Sequence, residues 1–469
     1  MSVSLTKEQL ARGLVYSSAP EMGLRDAAAS ENKSLPIHRW VPWIAGFSAQ
    51  FVEDAINAYL PRPYKQRHLV VDPFAGVGTT LVEAVKAGHD AVGYEINPFA
   101  ALAAGAKLKC LDVQPEDFRA EIEAFESALS RFEIQVDRRW LEGEMDGLVD
   151  LAPDLKQARP LDFKSRIPFF SPPVEAKFLY ALVRTNTLLE PNKTLFRAAL
   201  GATMVSFSNY SYEPSLASRP GSGKALIENA SVVTPICRKL REMLTDIEWA
   251  QQNYGSQWLA QRREVIEGSY FESDLPRGSV SLVVTSPPYM NNYHYVRNTR
   301  PQLYWLGLLQ AGNHLRDYEQ QSFGKFWQTV RQGEPIRLNF NCPSLSAAVE
   351  ELRGRNTERG HYGGSGWANY VATYLNDANR FVKMLRRQLK PGGHAIVVIG
   401  NSIIQGMEFA VDRLFAEMAE RQNLKVEEIR IVRKKRVGNS IIDSSVRNGQ
   451  ENGHRDKTQL YDAAVVLRR

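Results

Sequence analysis

The chain of 469 residues is long enough for two or three domains, or for one core carrying large insertions. Its 58 Lys and Arg against 52 Asp and Glu leave a net charge of +6, which permits a polyanionic partner without demanding one, and its 43% hydrophobic content excludes a wholly disordered chain. No run approaches the ~18 apolar residues of a membrane span, and Cys110, Cys237, Cys342 and the 8 scattered histidines form neither a C-x-x-C pair nor an H-E-x-x-H motif, which argues against a disulfide scaffold, a structural zinc and a metal enzyme.

Residues 1–16 interleave Lys7, Glu8 and Arg12 with apolar residues and so lack the core of a signal peptide; a reducing cytoplasm is the expected location. The first strand signals are 68–72 (HLVVD) and 90–95 (DAVGYE), with a helical pattern over 79–87 between them. The first strand runs into Asp72-Pro73-Phe74-Ala75-Gly76-Val77-Gly78-Thr79-Thr80, where Gly76 and Gly78 allow a tight turn and a close approach to a ligand. A dinucleotide fingerprint needs a further glycine where Leu81 stands, and a phosphate loop needs a lysine after Gly78, where Thr79 stands. At the end of the next strand, Glu95 is placed to accept hydrogen bonds from both hydroxyls of a ribose. A glycine loop with a ribose acid, but without phosphate-binding features, fits S-adenosylmethionine.

Residues 111–262 read as a mostly helical insertion, with helical spacing over 116–133 and 173–189. Within it, Phe170-Ser171-Pro172-Pro173-Val174 reads as a helix start: Ser171 as N-cap, Pro172 in the first turn. Strand signals resume at 264–268 and 280–285. The second of these leads into Thr285-Ser286-Pro287-Pro288-Tyr289. Two prolines cannot continue a sheet, so the chain leaves at the carboxyl end of a central strand, where open α/β sheets bind ligands. Ser286 Oγ and the Pro287 carbonyl can accept from an exocyclic amine, and Tyr289 offers a face for a ring. An aromatic amine is a poor nucleophile, because its lone pair is delocalised. Acceptors on its protons free that pair for in-line attack on a methyl sulfonium, with no metal and no covalent intermediate.

Residues 297–300 (RNTR) follow as a candidate phosphate contact, and Asn291, Asn292 and Tyr293 as candidates to shape the pocket. Residues 310–366 read as irregular, ending in HYGGSGW. Helical patterns over 370–389 and 409–422 alternate with strands 394–400, 426–432 and 462–468. A basic loop is expected to open at Arg433-Lys434-Lys435-Arg436. Strand–helix alternation predicts an α/β, Rossmann-like fold with one mostly parallel seven-stranded sheet, 462–468 lying antiparallel near an edge, and Asp72 and Ser286 at the ends of adjacent strands.

These motifs resemble the amino-methylating DNA methyltransferases, specifically the cytosine-N4 type. DPFAGVGTT resembles the family's cofactor motif, GYEINP its ribose motif, and TSPPY its catalytic motif, where serine in first place is typical of cytosine-N4 enzymes. LKPGGHAIVVIGNS resembles the strand that walls the base pocket, and Trp43-Ile44-Ala45-Gly46-Phe47-Ser48 the segment that closes over the cofactor. The resemblance implies cofactor contacts from Phe47, Asp72, Phe74, Gly76, Gly78, Thr79 and Glu95. It implies a catalytic group of Ser286, Pro287, Pro288 and Tyr289, and no metal. The third motif departs from the pattern, since Gly268 is followed by Ser269 instead of Asp. The implied reaction is methylation of a flipped cytosine in double-stranded DNA, with adenine-N6, an RNA amine or an inactive DNA-binding fold as rivals, and with a cognate restriction endonuclease as a possible companion. The expected division is 1–66 closing over the cofactor, 67–110 binding it, 111–262 as a helical insertion suited to target recognition, and 263–469 carrying the catalytic half.

Overall fold

The computed structural model describes residues 24–435, 441–442 and 460–469, apart from 26, 28, 44, 45, 47, 61–65, 145, 161, 162, 213, 214, 291, 292, 294 and 310–314. Its centre is a seven-stranded sheet. In chain order the strands are β1 (Leu69–Asp72), β2 (Asp90–Glu95), β5 (Arg263–Glu267), β6 (Val280–Thr285), β7 (Leu389–Gly400), β10 (Lys425–Lys435) and β12 (Leu460–Arg468). The remaining strands are short: β3 (Tyr210–Tyr212) with β4 (Leu216–Ser218), and β8 (Ser402–Ile404), β9 (Met407–Phe409) and β11 (Ile441–Ile442). The order across the main sheet is β10-β12-β7-β6-β1-β2-β5. β5, β2, β1, β6 and β7 run parallel, and β12 lies antiparallel between β7 and β10. The order in which strands are added to the sheet reverses between β1 and β6, so the carboxyl ends of those two parallel neighbours flank a crevice. Asp72 and Ser286 stand there, as expected.

Alternating side chains send each strand into two cores. Val70, Leu282, Val284, Ile396 and Val398 face one; Val71, Val283, Val397 and Ile399 face the other. The second core is closed by the helices Gly364–Gln388 and Val411–Arg421. The first is closed by the helices of the insertion, chiefly Pro115–Leu141, Pro172–Asn186, Asn192–Thr203 and Val233–Leu259. Phe118, Phe125 and Phe196 meet edge to face inside it. The insertion thus covers one face of the sheet.

The segment before β1 is pinned by two buried carboxylates, Asp246 of this block and Glu83 of the helix Thr79–Lys86. Asp246 accepts from the Ile37 amide at 2.7 Å, Trp40 Nε1 at 2.9 Å and Arg39 at 2.5 Å. His38 Nε2 lies 2.7 Å from Glu83. Burial holds the His38 pKa below its usual value.

Several boundaries differ from those the sequence suggests. β7 begins at Leu389, five residues early, because the LKPGG segment already pairs with β6 at Leu389. The helix before it begins at Gly364, inside the glycine-rich run. There a Cβ on Gly364 or Gly366 would stand 1.9 Å from the Leu352 carbonyl oxygen or 2.1 Å from that of His361, so only glycine lets the helix start under that loop. The stretch read as irregular contains helices Leu315–Gln321, Trp327–Val330 and Pro343–Arg353. Arg433-Lys434-Lys435 does not open a loop: β10 continues to Lys435, and Arg433 pairs with Asp462. Most of the connection between β10 and β12 lies outside the described residues.

Candidate active site

A cavity of about 340 Å³ opens at the carboxyl ends of β1, β2, β5 and β6. Phe74, Gly76, Thr79 and Glu95 line it together with Ser286, Pro287, Pro288 and Tyr289. The glycine loop and the proline segment, about two hundred residues apart in sequence, therefore share one chamber.

The glycine-loop side is built on Glu95. Its Oε2 accepts from the Gly76 amide at 2.8 Å and its Oε1 from the Asn97 amide at 2.7 Å. The side chain is fixed facing the loop, and each oxygen keeps a lone pair for a further donor. Burial pushes its pKa up to about 7 against those two amides. Asn97 is the N-cap of helix Pro98–Leu108, its Oδ1 accepting from Phe99 at 3.1 Å. Gly76 has a φ of +50°, and a Cβ there would come within 3.3 Å of Trp43 Nε1, so Trp43 closes over the loop. The Trp43 segment thus reaches the cavity through Trp43 and Gly46, while Phe47 lies outside the described residues.

Two expected cofactor residues do not line the cavity. Gly78 has a φ of +83°, and a Cβ on it would stand 2.9 Å from Ala104 Cβ. Its glycine is required by the packing of one helix start on the next, not by approach to a ligand. Asp72 is fully buried behind the loop: its Oδ1 accepts from the Phe74 amide at 3.0 Å and from Thr285 Oγ1 at 2.6 Å. Burial pushes its pKa up to about 6. Asp72 therefore clamps the end of β1 to the end of β6, and Thr80 Oγ1 adds a bond to the Val284 carbonyl at 3.1 Å. The two motif strands are locked in register by side chains that belong to the motifs themselves.

On the proline side, Ser286 Oγ donates to the Val398 carbonyl of β7 at 3.2 Å, which leaves its lone pairs for an incoming donor. The buried Tyr374 hydroxyl donates to the Pro288 carbonyl at 3.0 Å and fixes the segment from helix Gly364–Gln388. The Tyr289 ring lies against Gly400, where a Cβ would come within 3.2 Å of two ring carbons. Burial, then the carboxylate of Asp462, hold the Tyr289 pKa well above the usual phenol range. Tyr293 and Tyr295 pack edge to face at 4.8 Å along the wall. The short helix Tyr295–Asn298 follows, and the hairpin β3–β4 docks on its end: Tyr212 donates to the Asn298 carbonyl at 3.2 Å, and the Leu216 amide to Asn298 Oδ1 at 3.2 Å. Arg300 of the RNTR segment is occupied by packing: its guanidinium sits 5.0 Å over Phe163, 5.7 Å over Tyr304, and donates to the Lys164 carbonyl. Arg297 is exposed.

Sequence reasoning missed the far walls. Phe271 and Phe323 lie nearly parallel at 6.2 Å, and Phe74 meets Phe323 edge to face at 5.2 Å. Together they form an aromatic end to the cavity. Ser269, where the family pattern has Asp, accepts from the Phe271 amide at 3.3 Å and lines the same end. Asp462 and Arg433 enter from β12 and β10. Among the described residues no cluster of His, Cys, Asp and Glu could hold a metal ion, and no helix is long and apolar enough to cross a membrane.

The segment at 170–174 starts a helix where the sequence suggests. Ser171 is the N-cap of helix Pro172–Asn186, but its side chain makes no capping bond and Val174 is buried.

The strand order, with one antiparallel strand inserted beside the edge and a glycine loop after β1, is that of a Rossmann-like methyltransferase. Residues 28–104 match the family model described as DNA methylase. The type II methyltransferase M.BsoBI of Geobacillus stearothermophilus is 25% identical over 87% of this chain and 82% of its own. M.AvaI of Nostoc sp. is 23% identical over 86% and 82%, and M.MvaI of Kocuria varians 22% over 75% and 74%. Fold and matches together support the amino-methylating DNA methyltransferases as the family this chain is similar to. The matches do not separate the amine of cytosine from that of adenine.

Proposed function

We propose that this protein transfers a methyl group from S-adenosylmethionine to the exocyclic N4 amine of a cytosine flipped out of double-stranded DNA. The observation that carries the reading is the single chamber in which Glu95 and Ser286 face a common space. The residues fit the cofactor. Glu95 presents a carboxylate held by two amides to a pair of ribose hydroxyls. Phe74, Phe271 and Phe323 offer apolar faces to an adenine, and the loop lacks phosphate-binding features. When bound, the cofactor supplies an electrophilic methyl on a sulfonium.

The chain's own residues do the rest. Ser286 Oγ and the Pro287 carbonyl accept from the two amine protons and localise the nitrogen lone pair for attack. Pro288 is held by Tyr374, so the acceptors stay in place without reorganisation. Tyr289 stacks the extruded ring. Serine in the first position supports cytosine over adenine by the resemblance of the TSPPY motif. Target reading belongs to surface beyond the sheet, and the hairpin β3–β4 is one part of the insertion that reaches the segment after the catalytic loop. The helices beneath it serve the core.

Amplified, hence unmodified, DNA and, in parallel, RNA, each incubated with the protein and methyl-labelled S-adenosylmethionine, then digested to nucleosides, test the reading. Labelled N4-methylcytosine is the expected product. N6-methyladenine would move the substrate, label in RNA alone would exclude DNA, and no label would leave a non-catalytic fold.

A further inference from the structure

Asp462 is the acidic residue at the proline end of the cavity, and nothing in the motifs assigns it a role. It sits on β12, paired with Gly400 of β7 on one side and Arg433 of β10 on the other, and is 4% exposed. Its Oδ1 is 2.9 Å from the point where a Gly400 Cβ would be, and the Tyr289 ring is 3.2 Å from that same point. Carboxylate and phenol thus crowd over one glycine. Tyr289 lies within hydrogen-bonding reach of both Asp462 and Ser286. The Ser286 hydroxyl hydrogen therefore has two acceptors, the Val398 carbonyl and the Tyr289 oxygen.

We propose that Asp462 is a positioning residue of the reaction, holding the Tyr289 hydroxyl and receiving through it the proton that the target amine loses. The inference rests on the amine-methylating reading given above. As the nitrogen–methyl bond forms and the sulfur–methyl bond breaks, the positive charge of the sulfonium passes to nitrogen, which becomes neutral by shedding one proton. A serine hydroxyl is too weak a base to keep it. Ser286 Oγ takes the proton as its own hydrogen moves to Tyr289 Oη, whose hydrogen moves to Asp462; the carboxyl group then returns the proton to water. One proton enters the chain and one leaves, and no oxidant or reductant is needed.

The groups facing Asp462 are Tyr289 and Ser286 from the loop after β6, Tyr295 from the following helix, with Glu95 beyond it, and Arg433 from β10. Tyr461, its neighbour on β12, points away and donates to Asp412 at 3.2 Å. The arrangement differs from a structural ion pair in that the carboxylate addresses the reacting end of the cavity.

The test is single-turnover methyl transfer to unmodified DNA at saturating cofactor, against pH, for the wild type, Asp462→Asn, Asp462→Glu and Tyr289→Phe. Wild-type transfer slows on acidification; Asp462→Asn is about 100-fold slower and loses that dependence, and Asp462→Glu regains most of it. Tyr289→Phe keeps the ring but breaks the relay, and is expected to match Asp462→Asn. A second readout needs no cofactor: the Tyr289 ring resonances in ring-labelled protein, identified by their loss in Tyr289→Phe, change position in Asp462→Asn at constant pH as the phenol loses its charged partner. Wild-type rate and pH profile in Tyr289→Phe, or unmoved Tyr289 resonances in Asp462→Asn, would overturn the relay. A wild type that transfers no methyl to any amine would instead remove the reading beneath it.

Discussion

The chain contains Ser-Pro-Pro twice, at 171–173 and at 286–288, and the two copies do opposite things. At the first, Phe169 and Phe170 enter a buried aromatic cluster, and Pro172 starts a helix whose first turn has no use for its missing amide. Ser171 Oγ is left buried without a hydrogen bond. At the second, a fully buried strand ends, the prolines refuse the ladder, and the chain runs extended along a cavity between Val398 and Tyr374. The tripeptide is the same; what precedes it decides whether the serine faces packing or a chamber. A buried polar strand end, clamped by Thr285 to Asp72, is what turns a stiff turn into a site.

The largest effect should come from the second copy. Ser286→Ala is expected to lower kcat by roughly 100-fold or more, since it deletes one acceptor on the reacting amine, while cofactor affinity stays put. Ser171→Ala, the matching change at the first copy, should alter neither; single-turnover transfer rates and calorimetric binding on both variants make the contrast. Tyr289→Ala removes stacking worth about 1–3 kcal/mol, seen as weaker retention of a fluorescent base analogue in the flipped position and a slower turnover; full activity would show that Tyr289 does not stack. Gly78→Val should act on the fold, costing about 1–3 kcal/mol by forcing a Cβ against Ala104, measured as a lower unfolding midpoint before any ligand is added.

Glu95→Ala should weaken cofactor binding by about 1–3 kcal/mol. Its pH dependence has a definite sign. Burial raises the Glu95 pKa to about 7, and ribose hydroxyls donate to the ionised form, so binding releases a proton and tightens as pH rises through about 7. Titrations of the wild type should show this, and Glu95→Gln should be flat. The smallest effect is on stability at the first copy. Ser171→Ala removes a buried hydroxyl that bonds to nothing, so its unfolding midpoint should change by less than about 0.5 kcal/mol equivalent, or rise.

The same contrast explains what was legible in the sequence. β2 and β6 have the expected ends, because their short, mostly apolar runs are bounded by Asp, Gly and Pro and need no tertiary context. The glycine loop, Glu95 and Ser286-Pro287-Pro288-Tyr289 were readable because each is contiguous and sits at a strand end. Asp462 was not, since it reaches the cavity only through the antiparallel placement of β12 beside β7. Phe271 and Phe323 likewise carry no local mark and meet only across the folded chamber. The helix Pro343–Arg353 did carry one: Pro343 at its first turn and Leu345, Ala348, Val349 and Leu352 buried at helical spacing, inside a stretch read as irregular. Gly78 shows the reverse case, a residue in the right motif with a different physical reason, helix packing, for being glycine.

The central claim is that the glycine loop and the proline segment serve one chamber. A crystal structure of the protein with the non-reactive product S-adenosylhomocysteine tests it most directly. Both ribose hydroxyls are expected on the Glu95 carboxylate, the adenine among Phe74, Phe271 and Phe323, and the sulfur directed toward Ser286. A ligand bound away from Glu95, or with its sulfur directed away from the proline segment, would contradict it.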